Sequence, residues 1–463
     1  MFIGRKEELK VLEKHYASAK AELLVLYGRR RVGKTELLRQ FYKDKPTIYY
    51  SAAETEGQDN LDQFVIRCQE FYQGRLNENI SFKTIEGILE QLIEQANKNK
   101  AQKLIVVLDE FQYWVNADQA IPSLIQRFWD HKGQYSNLML ILCGSSISLM
   151  VDYALAEKSP LYGRRTGQLH LKPFDFRTAG KFFPDWTVKN KLLAYGVLGG
   201  IPAYLKQFDQ TLNFKDNLIQ QVLNKDTFLY EEAEFLLKTE LRDTKTYNRL
   251  LKAIAGGNTT LKDLTSKLGH TATSLSSYLS NLQMLQIIVR EISLLEKAPE
   301  KSKKGRYYLQ DNFLNFWFRF VEPNKTLVEL NEGNSLYQQK IEPLLADYMG
   351  SIFEQVCKQY LLYYGREAGL LLPQRVGRVW DKDFDIDVVS ENIDGSYTFG
   401  ECKWSTKLTD TSLYYQLRQR AEQAWQHQIR FHYILFSLAG FKQNSVKPEN
   451  LKTITGNELF DKD

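Results

Sequence analysis

Cysteine is scarce: four residues in a chain of 463, Cys68, Cys143, Cys357 and Cys402, widely spaced and with no Cys-x-x-Cys pair. That argues against a disulfide framework or a thiolate zinc site and points to a reducing cytosol. Long hydrophobic runs are missing too. Leu138 to Cys143 is among the longest, far short of the roughly 18 residues a membrane span needs. The opening Met1-Phe2-Ile3-Gly4-Arg5-Lys6-Glu7-Glu8 has no apolar signal core. Charge of one sign is lacking as well: 61 Lys+Arg against 56 Asp+Glu leave a formal +5. Such a surplus cannot by itself mark a nucleic-acid binder; a local patch has to carry that claim. No internal repeat and no low-complexity segment is evident. What is present is 43% apolar and 25% charged residues, ordinary globular usage that excludes a disordered or fibrous chain. At roughly 150 residues per domain the length suggests about three domains. The expectation is a cytoplasmic, multidomain protein with no membrane partner.

Residues 23–27, 47–50, 104–108 and 138–143 are short, nearly continuous apolar runs. Runs of this kind suit strands buried on both faces of a parallel sheet. Helical spacing fills the intervals, as in Leu61 to Phe71 and Thr84 to Ala96. Alternating strands and helices predict a doubly wound α/β domain extending to about residue 180.

Gly28-Arg29-Arg30-Arg31-Val32-Gly33-Lys34-Thr35 fits the phosphate-loop pattern GxxxxGK[ST] at every fixed position. It follows an apolar run and precedes a helix-forming segment, the context in which backbone N–H groups converge on phosphate oxygens. Lys34 would reach the β- and γ-phosphates, and Thr35 would ligate Mg²⁺. Arg29, Arg30 and Arg31 either add charge near the nucleotide or face solvent. The run 104–108 ends in Asp109 and Glu110. Asp109 would hold Mg²⁺ through water, and Glu110 would polarise the attacking water. Ser145, at the end of a third strand, either senses the γ-phosphate or belongs to a polar turn. Arg164 and Arg165 are either transition-state arginines or surface salt-bridge partners.

Phe2-Ile3-Gly4-Arg5-Lys6-Glu7-Glu8-Leu9, the arginine-rich phosphate loop, Leu108-Asp109-Glu110-Phe111-Gln112-Tyr113 and Leu198-Gly199-Gly200-Ile201-Pro202 together resemble the archaeal-type ATPase family of the STAND branch of AAA+-like P-loop proteins. The resemblance covers roughly the first 300 residues. It implies an ATP-binding ATPase with Gly4 and Arg5 near the adenine and Pro202 closing over the base from a helical lid. A second-sensor arginine is not evident, which weakens any inference of a ring hexamer.

Between about 190 and 290 the pattern is helical. Leu261 to Leu268, a turn at Gly269-His270 and Ser274 to Leu282 give helix-turn-helix arithmetic. The strand Ile287 to Ile292, a basic loop with Lys297, Lys301, Lys303, Lys304 and Arg306, and a second strand at Tyr307 read as a wing. The second helix lacks Arg and Lys, so the wing either contacts phosphates or is a loop of solvated lysines.

The last ~110 residues return to α/β. Alternation places Asp385 and Asp387 on one face of a strand, and Glu401 and Lys403 on one face of the next. Two carboxylates on neighbouring strands suit Mg²⁺, with Glu354 on the preceding helix as a third ligand. Lys403 could activate water or offset phosphate charge. The order Glu…Asp…Glu-x-Lys resembles the PD-(D/E)XK nuclease superfamily over residues 340–440. Three readings stand: an active nuclease, a nuclease fold that has lost activity, or incidental charge on a hairpin. The predicted architecture is α/β throughout. It comprises a P-loop NTPase domain with a doubly wound parallel sheet (1–185), a helical lid (186–240), a winged helix (241–312) and a restriction-endonuclease-like α/β domain (313–463). The expected cofactors are ATP and Mg²⁺. The expected partners are ATP, DNA or RNA, and a regulatory protein or a second copy of the chain.

Overall fold

The computed structural model describes residues 2–73, 83–98, 102–241, 243–381, 384–425, 430–442 and 448–460. It divides into two compact units, Met1–Pro173 and Phe174–Asp463.

The first unit is built on five parallel strands: β1 (Glu22–Tyr27), β2 (Thr47–Ser51), β3 (Leu104–Asp109), β4 (Leu138–Gly144) and β5 (Gly167–His170), in the order β2-β3-β4-β1-β5. β3 and β4 are buried along their whole length, which explains their unbroken apolar text: both faces are covered. Phe64, Trp114, Ile125 and Phe128 close one of these faces in a single apolar cluster with the strands. The strand order sets β4 between β1 and β3, so the ends of these three strands lie side by side.

The second unit starts with helices. Helix Thr244–Ala255 is followed by Leu261–Leu268 and Ala272–Met284, then by the antiparallel pair β6 (Ile288–Glu291) and β7 (Arg306–Leu309). Thr260 and Asp263 form a reciprocal capping box at the start of the second of these helices, and Gly269, in the left-handed region at φ 71°, ends it. After the helix Glu342–Tyr363 comes a mixed sheet of β8 (Pro373–Trp380), β9 (Asp385–Asn392), β10 (Tyr397–Lys403), β11 (Phe431–Ser437) and β12 (Leu451–Thr455), ordered β12-β11-β10-β9-β8. β8, β9 and β10 are antiparallel neighbours; β10, β11 and β12 are parallel, with helix Leu413–Ala424 between β10 and β11. The chain is thus α/β, with a five-stranded parallel sheet in one unit and a separate mixed sheet in the other. No described helix is long and apolar enough to cross a membrane.

Candidate nucleotide site and carboxylate cluster

At Gly28 the chain leaves β1 so close to Leu171 that a Cβ would lie 2.3 Å from its carbonyl oxygen. Gly33 has φ 95° and is the N-cap of helix Lys34–Tyr42, a conformation that suits glycine and aims the helix N-terminus along the loop. Lys34 folds back over its own loop, donating to the carbonyls of Gly28 (2.7 Å) and Arg29 (3.0 Å). Thr35 Oγ1 donates to Asp109 Oδ2 across 3.2 Å, and the Tyr49 hydroxyl donates to the same oxygen. A hydroxyl and a buried carboxylate meeting here fit Mg²⁺, which takes oxygen ligands and retains waters.

Glu110 sits in the left-handed region at φ 50°, a conformation that costs a non-glycine residue and is found where a site demands it. Ser145 Oγ donates to Glu110 Oε2 at 2.6 Å, and Gln112 Nε2 donates to that same oxygen and to Ser145 Oγ at 3.2 Å. Lys34, Thr35, Asp109, Glu110 and Ser145 are therefore brought together at the adjoining ends of β1, β3 and β4.

The outlying candidates are placed differently. Gly4 and Arg5 are both left-handed, at φ 71° and 62°. The buried Arg5 guanidinium pairs with Glu8 at 2.9 Å and donates to Val32 O (2.9 Å) and Lys172 O (2.8 Å), tethering the loop from behind. Arg29 is buried, Arg30 donates to the Tyr113 hydroxyl, and Arg31 adopts φ 67°. Arg164 forms a half-exposed ion pair with Asp130 at 3.1 Å, the arrangement of the salt-bridge alternative. Arg165 donates to Leu155 O at 3.3 Å, with its guanidinium 5.4 Å from the Tyr162 ring centroid. In the second unit Pro202 starts the short helix Pro202–Leu205. Just before it, Phe174 N donates to Gly200 O at 2.8 Å.

The second unit carries its own charged cluster. β9 and β10 pair through Val388 and Gly400, so Asp387 and Glu401 stand one step further on, at neighbouring positions. Asp387 Oδ2 accepts from Cys402 N at 2.9 Å. Glu401 is 6% exposed and both its oxygens are engaged: Oε1 with Lys403 Nζ and Oε2 with Arg420 Nη2, each at 2.7 Å. Arg420 also donates to Asp385 O at 2.7 Å. Burial raises the pKa of Asp387, and the charge of Glu401 adds to the shift. Burial pulls Lys403 down, but its bond to Glu401 together with the charges of Glu401 and Asp387 leaves it raised.

Glu354, the third carboxylate of the expected metal set, lies near enough to Asp387 to feel its charge. Glu354 lies on the helix before the sheet, its Oε2 3.2 Å from Arg378, and that guanidinium is clamped on Asp385 at 2.9 and 2.6 Å. Among the described residues no three side chains of the metal-ligating types stand ready around one ion. The guanidinium of Arg378 thus bridges Glu354 and Asp385. Asp387 and Glu401 remain side by side, and one or two carboxylates with waters suffice for Mg²⁺.

A family model described as an ATPase domain predominantly from Archaea matches residues 2–208, and one described as archaeal and bacterial proteins of unknown function matches residues 317–415. An uncharacterized protein of Methanocaldococcus jannaschii is 36% identical over 409 residues, 87% of this chain and 88% of that protein. The chain belongs to the archaeal-type ATPase family. An uncharacterized ATP-binding protein of the same organism is 56% identical over 45 residues, 10% of this chain and 76% of that one. Among solved structures, a Walker-type ATPase of Pyrococcus abyssi aligns with a TM-score of 0.52 at 23% identity, covering 69% of this chain and 96% of its own. At that identity the likeness is one of fold.

Four residues of this archaeal-type ATPase escape sequence reasoning: Tyr49 and Gln112 at the nucleotide loop, and Arg378 and Arg420 at the carboxylates. Tyr49 is hidden inside an apolar run, where an aromatic residue signals core. Gln112 and Arg420 lie within stretches whose composition is visible, but their targets are set by three-dimensional neighbours.

Proposed function

We propose that this archaeal-type ATPase binds and hydrolyses ATP with Mg²⁺ at Gly28–Thr35, and that its nucleotide state controls a nuclease-like C-terminal domain acting on nucleic acid. The observation that carries the reading is the convergence of Lys34, Thr35, Asp109, Glu110 and Ser145 on one end of the parallel sheet. Lys34 leaves the loop carbonyls to neutralise the β- and γ-phosphates. Thr35 and Asp109 hold the Mg²⁺, which when bound supplies charge neutralisation at the phosphates. Ser145 meets the γ-phosphate, and Glu110 orients and deprotonates the attacking water. Arg29, Arg30 and Arg31 place positive charge along the loop. Gly4, Arg5 and Pro202 serve the base, and residues 186–240 act as the lid.

Residues 241–312 act as a winged helix, a reading supported by three helices followed by an antiparallel pair. In the C-terminal domain the order helix, three strands, helix, strand supports the nuclease-like reading, as does the placing of Asp387, Glu401 and Lys403 on adjacent strands. Asp387 and Glu401 hold a divalent cation, and Lys403 orients the nucleophilic water. A second reading, an ATP-gated regulator with a catalytically silent nuclease fold, is favoured by the ion pairs of Glu401 with Arg420 and Lys403.

Phosphate release from ATP by the purified chain, compared with Lys34→Ala and Glu110→Gln, tests the first half. Turnover that survives both substitutions shows the site to be wrongly assigned. Plasmid, linear DNA and RNA incubated with Mg²⁺ or Mn²⁺, with and without ATP, test the second. Cleavage lost in Asp387→Ala and Lys403→Ala supports the nuclease; no cleavage under any condition leaves the regulator.

A further inference from the structure

One oxygen of Asp109 receives two hydroxyl donors. Thr35 Oγ1 lies 3.2 Å from Oδ2, and the Tyr49 hydroxyl donates to the same atom, while Oδ1 accepts from Glu110 N at 2.9 Å. Tyr49 comes from β2, the sheet neighbour of β3, paired in parallel register with Ser51 opposite Asp109 and Tyr49 opposite Val107. From two residues back along the strand, the phenol reaches the carboxylate at the strand end. Its ring packs at 6.1 Å and 46° against Tyr42, which ends the helix of the phosphate loop.

We propose that Tyr49 is a positioning residue for the cation that accompanies the nucleotide. By fixing the Asp109 carboxylate, Tyr49 keeps the proton of Thr35 directed at Oδ2. A hydroxyl whose proton is committed in this way turns its lone pairs outward, where a divalent cation can use them. Tyr49 touches neither the phosphates nor the cation; it acts through Asp109. The inference rests on the ATP and Mg²⁺ reading above and adds a residue from a strand outside the phosphate-loop and carboxylate motifs. Partners that orient metal-binding groups commonly set metal affinity by about tenfold or more when lost.

The test is Tyr49→Phe in the full chain, which removes one oxygen and keeps the ring against Tyr42. A fluorescent ATP analogue is titrated in EDTA and across a Mg²⁺ series, for wild type and variant. The expected result is a half-saturating Mg²⁺ concentration raised by about tenfold, with nucleotide affinity in EDTA unchanged. Three results overturn the proposal. An unchanged Mg²⁺ response shows that Asp109 is held without Tyr49. A tighter Mg²⁺ response shows that Tyr49 competes with the cation. An equal loss of affinity in EDTA shows a structural role in the loop. A wild-type chain whose nucleotide binding ignores Mg²⁺ defeats the Mg²⁺ reading itself, a failure visible before the variant is made. Matching thermal unfolding of the two proteins, read alongside, separates a folding defect from a shift in cation affinity.

Discussion

Ser145 Oγ donates to Glu110 Oε2 at 2.6 Å, so the residue that follows β4 holds the carboxylate that follows β3. The backbone of Glu110 is left-handed, and its side chain is further engaged by Gln112. A carboxylate restrained in this way is suited to orienting one water, and its neutral isostere can keep the hydrogen bond from Ser145 without accepting a proton. Glu110→Gln should lower ATP turnover by about 10²- to 10⁴-fold, the range for loss of a general base. Nucleotide affinity should change little. Phosphate release measured beside fluorescent-nucleotide binding checks both; equal losses in the two would remove Glu110 from the chemical step.

Gly200 has no room for a side chain. A Cβ there would lie 1.8 Å from Phe174 O, and the preceding Gly199 adopts φ 63° with ψ −150°, a region essentially confined to glycine. The Leu198-Gly199-Gly200-Ile201-Pro202 motif is thus a backbone crossing. Gly200→Ala must displace the Phe174 segment and should cost about 1–3 kcal/mol, the usual range for overpacking. Urea unfolding of the two proteins measures the difference, and an unchanged midpoint would contradict the packing.

Arg420 neutralises a carboxylate that is almost wholly enclosed. Glu401 keeps Lys403 when Arg420 is lost, yet one of its oxygens is left buried without its partner, and Asp385 O loses a donor as well. Arg420 is about a quarter exposed, so solvent screens part of the interaction. Arg420→Ala should then destabilise the chain by roughly 1–3 kcal/mol, the cost of an unsatisfied buried polar group. Arg418→Ala, on the same helix in an exposed pair with Glu422, should cost clearly less, because solvent screens an exposed pair. Similar losses for the two variants would show that the burial of Glu401 is immaterial.

Much of the first unit is legible in the sequence because its strands are buried on both faces. β1, β3 and β4 stand out as continuous apolar text, and the phosphate-loop residues have fixed spacing. β8 and β12 are hidden for the opposite reason. Their residues are mostly half-buried or exposed, and at the edges of the mixed sheet no unbroken apolar run is needed. The pair Asp387 and Glu401 follows from strand alternation, since neighbouring strands bring alternate residues onto one face. The contact of Glu354 with Arg378 does not. It depends on Arg378, on β8, lying between the helix and Asp385, and no local spacing encodes that. The bounds of helix Leu261–Leu268 are legible because both signals, Thr260 with Asp263 and the terminal Gly269, are local.

Glu354 provides a pH test of the cluster. Burial, reinforced by the charge of Asp387, lifts its carboxyl from the ordinary 4.5 to about 7, despite the guanidinium of Arg378. Between these two values the folded chain holds a proton that the unfolded chain has released. A state that binds more protons is favoured at lower pH, so the folded state loses stability as pH rises from about 4.5 to about 7. At about 1.4 kcal/mol for each pH unit across that window, the loss from this group is at most about 3.5 kcal/mol, and partial exposure reduces it. Asp387 is raised in the same direction and adds to the slope. The difference between wild type and Glu354→Gln isolates the single group. Urea unfolding at pH 5 and pH 8 should show wild type losing more stability over that span than the glutamine variant. Parallel losses in the two proteins would mean that Glu354 ionises as freely folded as unfolded, and that its seat beside Asp387 and Arg378 is wrongly placed.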